Sequence, residues 1–459
     1  MTSQSNRDLS DRIQPVTLLI CYTLAVFACL TIRPLWLDEV LQLIVTSSPS
    51  ITEMNRLIPF NIGAVPLGYF TQRPFVLAGG PFAFWARLPS ALFSVASCWL
   101  LILLCRELKI SRSTGLLAAG IFMVIPAQFR YATEGRPYSE AIFFMLLSML
   151  AIASSARSLR SRTILLAFLA MVAALYTQPY AALAVFGLSA WNALTGFRAK
   201  EGMRSAIPLA CLCVAALLFL PWYRFSTQQW NASIQRSGYP QFHWTSAVAL
   251  DAFKGLSGGS FLCSLALLIL VAIGIRLSRA GVRGLLLSSA LCVVVGVLAT
   301  DSLRNYFFAG RQFLFAVPSL SILAALGLAS ALRINKVVGT AAAAFFAITA
   351  LANDVTMQLN AKENWPAAAK LLVEVVNQGY CVQMAGADQG GVQMYSVFQP
   401  PLLSSLCRNR AATPRLALVS NLATATNTLE ASERQLRNMG FTLTRTLAVG
   451  GTTIEMDVR

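Results

Sequence analysis

The chain has 459 residues, of which 56% are hydrophobic and only 12% are charged, and its mean hydropathy is +0.63. Apolar runs of membrane-spanning length recur along most of the chain, which excludes a soluble globular protein and predicts a polytopic membrane protein. The formal net charge is +17. Short basic cytoplasmic loops explain much of this excess, so we expect a lipid bilayer as partner and no nucleic acid.

The apolar runs predict an all-α membrane domain over residues 1–352 with about eleven transmembrane helices. These helices are expected near residues 15–33, 84–105, 114–130, 139–156, 163–178, 180–196, 206–223, 260–275, 285–300, 312–331 and 337–352. Lys and Arg concentrate in short alternate loops, which places the amino terminus in the cytoplasm and, with an odd number of spans, the carboxyl terminus outside. The long loops at 34–82 and 224–259 are then exterior.

The last part of the chain, residues 353–459, is predicted to form a small exterior α/β domain. Its periodicity indicates helices at 365–377 and 429–438, strands at 381–385 and 415–420, and a closing hairpin of strands 441–449 and 452–458. Cys381 and Cys407 are the only cysteines of this domain, and its exterior location predicts a disulfide between them. We see no catalytic constellation here and expect the domain to stabilise the protein or to bind the acceptor.

Two adjacent carboxylates stand in the motif Trp36-Leu37-Asp38-Glu39-Val40, just after the first apolar segment. Neighbouring residues of a helix or strand point in different directions, so Asp38 and Glu39 cannot act on one proton in the same way. One of them should be a base and the other its support. Pro34 is suited to start a helix whose apolar face lies on the membrane surface. A solvated carboxylate pair at the membrane face is the alternative interpretation.

The third exterior loop places two guanidinium groups, a carboxylate and two phenols in nine residues, Arg130-Tyr131-Ala132-Thr133-Glu134-Gly135-Arg136-Pro137-Tyr138. The planar fork of Arg makes bidentate hydrogen bonds with phosphate. Arg304 and Arg311 flank another short exterior turn, where a lipid phosphate would lie. Headgroup contact is the alternative for each Arg alone, whereas convergence of several on one face with Asp38 would favour a binding site.

Four segments, taken in order, resemble a known family. They are Leu35-Trp36-Leu37-Asp38-Glu39, Arg87-Leu88-Pro89-Ser90-Ala91-Leu92-Phe93, Glu134-Gly135-Arg136-Pro137-Tyr138 and Arg311-Gln312-Phe313-Leu314-Phe315-Ala316-Val317-Pro318. Their order and spacing resemble the bacterial GT-C glycosyltransferases related to protein O-mannosyltransferases and lipid A aminoarabinose transferases. The resemblance covers about residues 15–352; the ordered set is specific, and no single segment is.

The resemblance implies transfer of a sugar from a polyprenyl-phosphate carrier to a lipid or glycan acceptor of the cell envelope, with inversion at the anomeric carbon. The reaction would take place at the exterior face of the bacterial inner membrane. Asp38 would be the catalytic base, and Glu39, beside it in the catalytic motif, would orient Arg or Tyr partners, as would Glu134. The resemblance also implies Arg311, then Arg136 and Arg304, as ligands of the donor phosphate, and Glu134, Tyr138, Arg130 and Tyr69 as supporting residues.

The first loop departs from the family at a place where a His or an acid often precedes a proline, because Ala64-Val65-Pro66 stands there. A divalent ion needs several oxygen ligands, and His243, the only histidine, is far along the chain. Dependence on a divalent metal therefore stays open, with its absence favoured, and no other cofactor is implied.

A membrane transporter or lipid flippase is the main alternative, and it would place ionisable groups along a path near the bilayer midplane. The predicted spans have almost no such groups and the acids cluster outside, which favours chemistry at the surface. A non-catalytic assembly protein is a third alternative, and it predicts that Asp38→Asn leaves function intact. The sequence identifies neither the sugar nor the acceptor.

Overall fold

The computed structural model describes residues 2–61, 63–155, 160–199, 202–237, 243–305, 309–361, 363–385, 390–407, 413–421, 424 and 426–459. Twenty α-helices and four strands lie within these ranges. The helices before the tail are α1 Thr2–Cys29, α2 Leu37–Thr46, α3 Ile51–Leu57, α4 Pro66–Gly79, α5 Ala83–Glu107, α6 Arg112–Val124, α7 Pro126–Ala132, α8 Tyr138–Ser155, α9 Ser161–Thr177, α10 Ala181–Arg198, α11 Ile207–Ser237, α12 Ser246–Gly255, α13 Phe261–Leu277, α14 Ala280–Arg304, α15 Ala309–Gln312, α16 Val317–Ile334 and α17 Lys336–Leu359. The tail contains α18 Trp365–Asn377, β1 Cys381–Met384, α19 Gly390–Ser396, β2 Arg415–Asn421, α20 Thr426–Asn438, β3 Thr442–Val449 and β4 Thr452–Val458.

The chain divides into two compact units. The first, which we call the helical unit, contains Met1–Cys29, Leu57–Thr71 and Arg87–Met357. The second, which we call the α/β unit, contains Leu30–Arg56, Gln72–Ala86 and Gln358–Arg459. The α/β unit thus includes two pieces of the long first loop in addition to the tail, which the composition of the tail alone does not reveal.

The helical unit has the helices of a multi-pass membrane protein. Six described helices are long and apolar enough to cross a membrane, namely Ala83–Glu107, Tyr138–Ser155, Met203–Asn231, Ala280–Arg304, Gly310–Ile334 and Lys336–Leu359. The pair α6 and α7, bent by 67° at its break, would make a seventh span. The expected count of eleven is therefore not confirmed, because other apolar helices such as α9 and α13 have only 17 residues.

One predicted span and one predicted loop differ from the structure. The predicted span 114–130 is broken at Pro126, which has no amide hydrogen to continue the helix from α6 into α7. The predicted exterior loop 224–259 is largely helical, since α11 continues to Ser237 and α12 follows it. A helix of 31 residues is longer than a bilayer core requires, so apolar length alone does not give its end.

Helix α16 lies at the centre of the helical unit. Most of its first three turns are fully buried, and α13 packs closely against it. A Cβ at Gly274 would lie 1.9 Å from the carbonyl oxygen of Leu323, and one at Gly327 would lie 2.0 Å from that of Leu270. The two glycines therefore permit backbone contact, as small residues do at many membrane helix interfaces.

The α/β unit is built on a four-stranded sheet with the order β1-β2-β4-β3. Strands β1 and β2 are parallel, and the pairs β2–β4 and β3–β4 are antiparallel. Gly450 and Gly451 both have positive φ in the turn between β3 and β4, as a two-residue hairpin requires. One face of the sheet packs on α18 around Trp365, and the other packs under α20 around Leu436 and Phe441.

Helix α2 belongs to the core of the α/β unit. Leu35, Val40 and Leu43 are buried in the same cluster as Trp365 and Leu372 of α18. The expectation that this apolar helix face lies on the membrane surface is therefore wrong. An amphipathic pattern shows that a face is buried but does not identify what covers it.

Candidate active site

The carboxylate pair lies in the first turn of α2. Glu39 is fully buried, and its carboxylate oxygen accepts a hydrogen bond from the Trp36 backbone N–H at 3.2 Å. Trp36 is the N-cap residue of α2, so Glu39 satisfies a backbone donor that the helix leaves without a partner. Asp38 is half-buried in the same turn. The two acids therefore differ in exposure and in surroundings.

Glu363, which the sequence analysis did not select, also holds the start of α2. Its carboxylate accepts one hydrogen bond from the Leu37 N–H at 2.6 Å and another from the Trp365 indole N–H at 2.7 Å. This carboxylate joins α2 to the segment that opens α18. Negative charge near a helix amino terminus is stabilising, so Glu363 supports the turn that presents Asp38.

Arg73 holds the opposite end of α2. One of its terminal nitrogens donates hydrogen bonds to the carbonyl oxygens of Thr46 and Ser48, both at 2.8 Å. Its guanidinium group caps carbonyls at the negative end of the helix dipole. Arg73 and Glu363 have no local signal in the sequence, because each is more than 25 residues from its partner in α2.

In the helical unit, the loop between α7 and α8 forms a compact polar cluster. The Arg130 Nε donates to the fully buried Glu134 carboxylate at 3.2 Å. The rings of Tyr131 and Tyr138 lie 4.5 Å apart, and the Arg130 guanidinium lies 5.7 Å from the Tyr131 ring centre. The loop is thus an organised set of side chains.

Arg311 adds a second guanidinium group to this cluster. Its charge acts on both Arg130 and Tyr131, so the short helix α15 brings Arg311 close to the loop. We call Arg130, Tyr131, Glu134, Tyr138 and Arg311 the arginine cluster. Two like charges near one buried carboxylate repel each other, and an anion between them would relieve that repulsion.

Arg136 and Arg304 have other surroundings. The Arg136 side chain is half-buried, and its carbonyl oxygen accepts a hydrogen bond from the Ser90 hydroxyl at 3.0 Å. Arg304 is exposed and donates to the Tyr223 hydroxyl and, at 3.3 Å, to the Asn231 side-chain oxygen. Arg304 thus contacts residues of α11, which makes it a weaker candidate for the donor phosphate than Arg311.

Tyr69 is buried near the start of α4. Its hydroxyl accepts a hydrogen bond from the Asn61 amide at 3.0 Å. Two residues later, the Thr71 hydroxyl donates to the buried Glu140 carboxylate at 2.8 Å. A Cβ at Gly68 would lie 2.3 Å from Pro137, so the start of α4 packs directly on the α7–α8 loop. Glu140 and Thr71 are further polar residues beside the loop that sequence reasoning did not assign to the site.

The described residues include no group of three or more His, Cys, Asp or Glu side chains placed to hold a metal ion. In the α/β unit, Cys381 and Cys407 are joined by a disulfide, with their Cα atoms 5.1 Å apart. Asp38, Glu39 and this disulfide belong to the α/β unit. The arginine cluster, Arg136, Arg304 and Tyr69 belong to the helical unit.

Comparison with known proteins identifies the fold. No protein-family model matches the chain, and no curated protein matches it. The structure is similar to ArnT from Cupriavidus metallidurans bound to undecaprenyl phosphate, with a TM-score of 0.63 and 12% identity over 96% of this chain and 97% of that chain. The apo state of the same enzyme gives a TM-score of 0.61 at 13% identity.

Two other solved structures are also similar to this chain. The Archaeoglobus fulgidus oligosaccharyltransferase in complex with zinc and sulfate gives a TM-score of 0.51 and 10% identity over 87% of this chain and 67% of that chain. The arabinofuranosyltransferase AftD from Mycobacteria gives a TM-score of 0.51 and 12% identity over 96% of this chain and 39% of that chain. The chain thus has the fold of the GT-C glycosyltransferases, as the sequence resemblance implied.

Proposed function

We propose that this chain is an inverting glycosyltransferase that moves a sugar from a polyprenyl-phosphate carrier to a lipid or glycan acceptor of the cell envelope. The reaction would occur at the exterior face of the bacterial inner membrane. The proposal is supported by the fold, because the likeness to ArnT extends over nearly the whole of both chains and that enzyme was solved with undecaprenyl phosphate bound.

The arginine cluster is the observation that carries the proposal. Arg130 and Arg311 lie close enough for their charges to interact, beside the buried Glu134. The leaving polyprenyl phosphate is a phosphate monoester with negative charge on several oxygens, which suits two guanidinium groups better than one. As the glycosidic bond breaks, charge grows on the leaving phosphate, so the same two groups would stabilise the transition state more than the bound donor.

Asp38 is the proposed base. It would take the proton of the acceptor hydroxyl while the hydroxyl oxygen forms a bond to the anomeric carbon, on the face opposite the phosphate. The bond between the anomeric carbon and the phosphate oxygen would break, and polyprenyl phosphate would leave with the electron pair. Glu39 is used by the helix cap and Glu363 by two N–H donors, so both would position Asp38 rather than take the proton.

The buried ionisable groups of the helical unit favour surface chemistry over transport. Arg87, Glu140, Asp301 and Asp354 all lie in long helices, which the sequence analysis did not anticipate. Each lies within two turns of a helix end, and the predicted topology assigns all four ends to the exterior side. A transport path would instead place such groups near the bilayer midplane.

The proposal is tested by mass spectrometry of polyprenyl-phosphate lipids and envelope glycans from cells that carry Asp38→Asn. We expect one sugar-linked lipid to accumulate and one glycan or lipid substituent to disappear. Glu53→Gln is the matched control, because Glu53 is a carboxylate in the same first loop that pairs with Arg56 on the surface. An unchanged lipid and glycan profile at equal expression would reject the proposal and favour a transporter.

A further inference from the structure

The α/β unit contains a cavity of about 440 Å³ between α20 and the sheet. Four apolar side chains line it, namely Leu418, Leu436, Phe441 and Leu443, and three carboxylates share it with them, namely Glu433, Glu455 and Asp457. The one guanidinium group in its wall is that of Arg437. A chain with a net charge of +17 therefore has a cavity with the opposite sign of charge.

The strand register explains why two of the acids point into the cavity. Side chains alternate along β4, so Glu455 and Asp457 share the face toward α20, whereas Ile454 and Met456 pack in the core on the other face. Asp457 pairs with Leu416 of β2 and Leu443 of β3. The carboxylate therefore lies between two leucines and below a helix.

Asp457 is only 7% exposed, although its side chain lines the cavity. No residue that the structure describes makes a hydrogen bond or a salt bridge with its carboxylate. The charges that act on it are those of Glu433, which repels it, and Arg437, which attracts it. Arg437 is itself paired with Glu433 at 2.9 Å. A carboxylate whose oxygens reach only a narrow cavity is less well hydrated than one on the open surface, which costs free energy that a bound cation would offset.

We propose that this cavity binds a small organic ligand that carries a primary ammonium group on an apolar body. The ammonium would lie between Asp457 and Glu455, and the apolar body would lie against Phe441 and Leu443. Leu443 is 53% exposed at the cavity wall, so it offers apolar surface that the folded chain leaves open. The inference does not depend on the transfer reaction.

Two observations select an organic ammonium ion over other cations. The described residues do not place three acidic or His side chains in the geometry of a metal site, so the cavity offers no preformed set of ligands to a divalent ion. The lining is mostly apolar, and cavities of a few hundred Å³ with a few convergent polar groups are typical of small-molecule sites. Three hydrogens of an ammonium group would satisfy carboxylate oxygens that the protein leaves open.

The test is isothermal titration calorimetry of the full chain in lipid nanodiscs with 1,6-diaminohexane, a dication that partitions poorly into a bilayer. We expect saturable binding of this probe and no binding of 1,6-hexanediol, which has the same apolar body without charge. Absence of saturable heat with the diamine, or equal binding of the diol, would overturn the proposal.

Three variants locate the binding. Asp457→Asn should weaken binding of the diamine by about 10-fold or more, since one charge-assisted contact is lost. Arg437→Gln should strengthen binding severalfold, because it removes the cation that competes for the carboxylates. Glu430→Gln is the matched control, as Glu430 is an exposed acid of α20 outside the cavity, and it should change nothing. Equal weakening by Asp457→Asn and Glu430→Gln would show that only general surface charge attracts the diamine and would reject the site.

Discussion

Two polar regions of this molecule satisfy their buried carboxylates in different ways. At the start of α2, Glu39 accepts a hydrogen bond from a backbone N–H three residues away. In the arginine cluster, Glu134 accepts from the Arg130 side chain, and a further guanidinium, Arg311, comes from a helix far along the chain. Both carboxylates are fully buried.

The difference underlies our proposal that the first region positions the base and that the second binds the donor phosphate. The α2 turn is held by the helix cap and by the two hydrogen bonds of Glu363, and Asp38 is the half-buried acid of that turn. The arginine cluster brings together two guanidinium groups from distant parts of the helical unit beside one buried carboxylate. We therefore expect substitutions around Asp38 to change stability, substitutions in the arginine cluster to change donor binding, and substitution of Asp38 itself to change the reaction.

The largest expected effect is that of Asp38→Asn. An amide is nearly the same size as a carboxylate but cannot take a proton, so the transfer rate should fall by about 1000-fold while the protein still folds. The measurement is initial rate of sugar transfer with purified protein. Asp38→Glu, which keeps a carboxylate in a shifted position, should retain more activity than Asp38→Asn; equal loss in both would argue against a proton-transfer role.

The next effect in size is that of Arg311→Gln. Removal of one of the two guanidinium groups should lower the transfer rate by about 100-fold, because it weakens both donor binding and stabilisation of the leaving phosphate. Arg304→Gln is the comparison, since Arg304 is exposed and already contacts Tyr223 and Asn231. Arg304→Gln should lower the transfer rate less than Arg311→Gln does. The reverse order would move the phosphate site from the arginine cluster to the end of α14.

Glu363→Ala should change stability rather than chemistry. It leaves the Leu37 amide and the Trp365 indole without their acceptor, which should lower the free energy of unfolding by about 2 kcal/mol. Pulse proteolysis of the full chain measures this loss. Glu374→Ala on the exposed side of α18 is the control and should lie within about 0.5 kcal/mol of the unmutated protein. Equal stability of the two variants would contradict the role of Glu363.

The smallest effect is a gain of stability in Asp457→Asn. Burial and the nearby Glu433 raise the pKa of Asp457 to about 6, and burial also raises the pKa of Glu455. The folded state then holds a proton that the unfolded state releases near pH 4, so this group lowers stability as the pH rises from about 4 to 6. With screening by solvent at the cavity, the amide should stabilise the protein by about 1 kcal/mol at pH 7. Pulse proteolysis at pH 4, 5, 6 and 7 tests this, and an unchanged slope would contradict it.

Much of the α/β unit was predictable from local pattern. The helix at 365–377 and the strand at 452–458 have the predicted bounds, the other tail strands differ by one residue, and the last helix begins three residues earlier than predicted. Their periodicity is clear because one face of each element is buried. The role of residues 30–56 and 72–86 was not predictable, since nothing local shows that a loop before the second span packs with the tail.

The membrane helices show where apolar length fails as a guide. The break at Pro126 depends on a missing amide hydrogen, and the end of α11 at Ser237 is not given by apolar length. The residues that hold the candidate site could likewise not be predicted from local sequence pattern. The resemblance gave Asp38, Arg130 and Arg311 as candidates, but Glu363 and Arg73, which hold the two ends of α2, are distant from α2 in sequence and have no motif of their own.

The most direct test of the central claim uses the sugar-linked lipid that Asp38→Asn cells are expected to accumulate. This lipid would be extracted and added with an envelope extract to purified unmutated protein and to Asp38→Asn protein, and both lipids would be followed by mass spectrometry. We expect the unmutated protein to convert the sugar-linked lipid to free polyprenyl phosphate and the Asp38→Asn protein to bind it without conversion. Equal conversion by both proteins, or conversion by neither, would contradict Asp38-dependent transfer from a polyprenyl-phosphate donor.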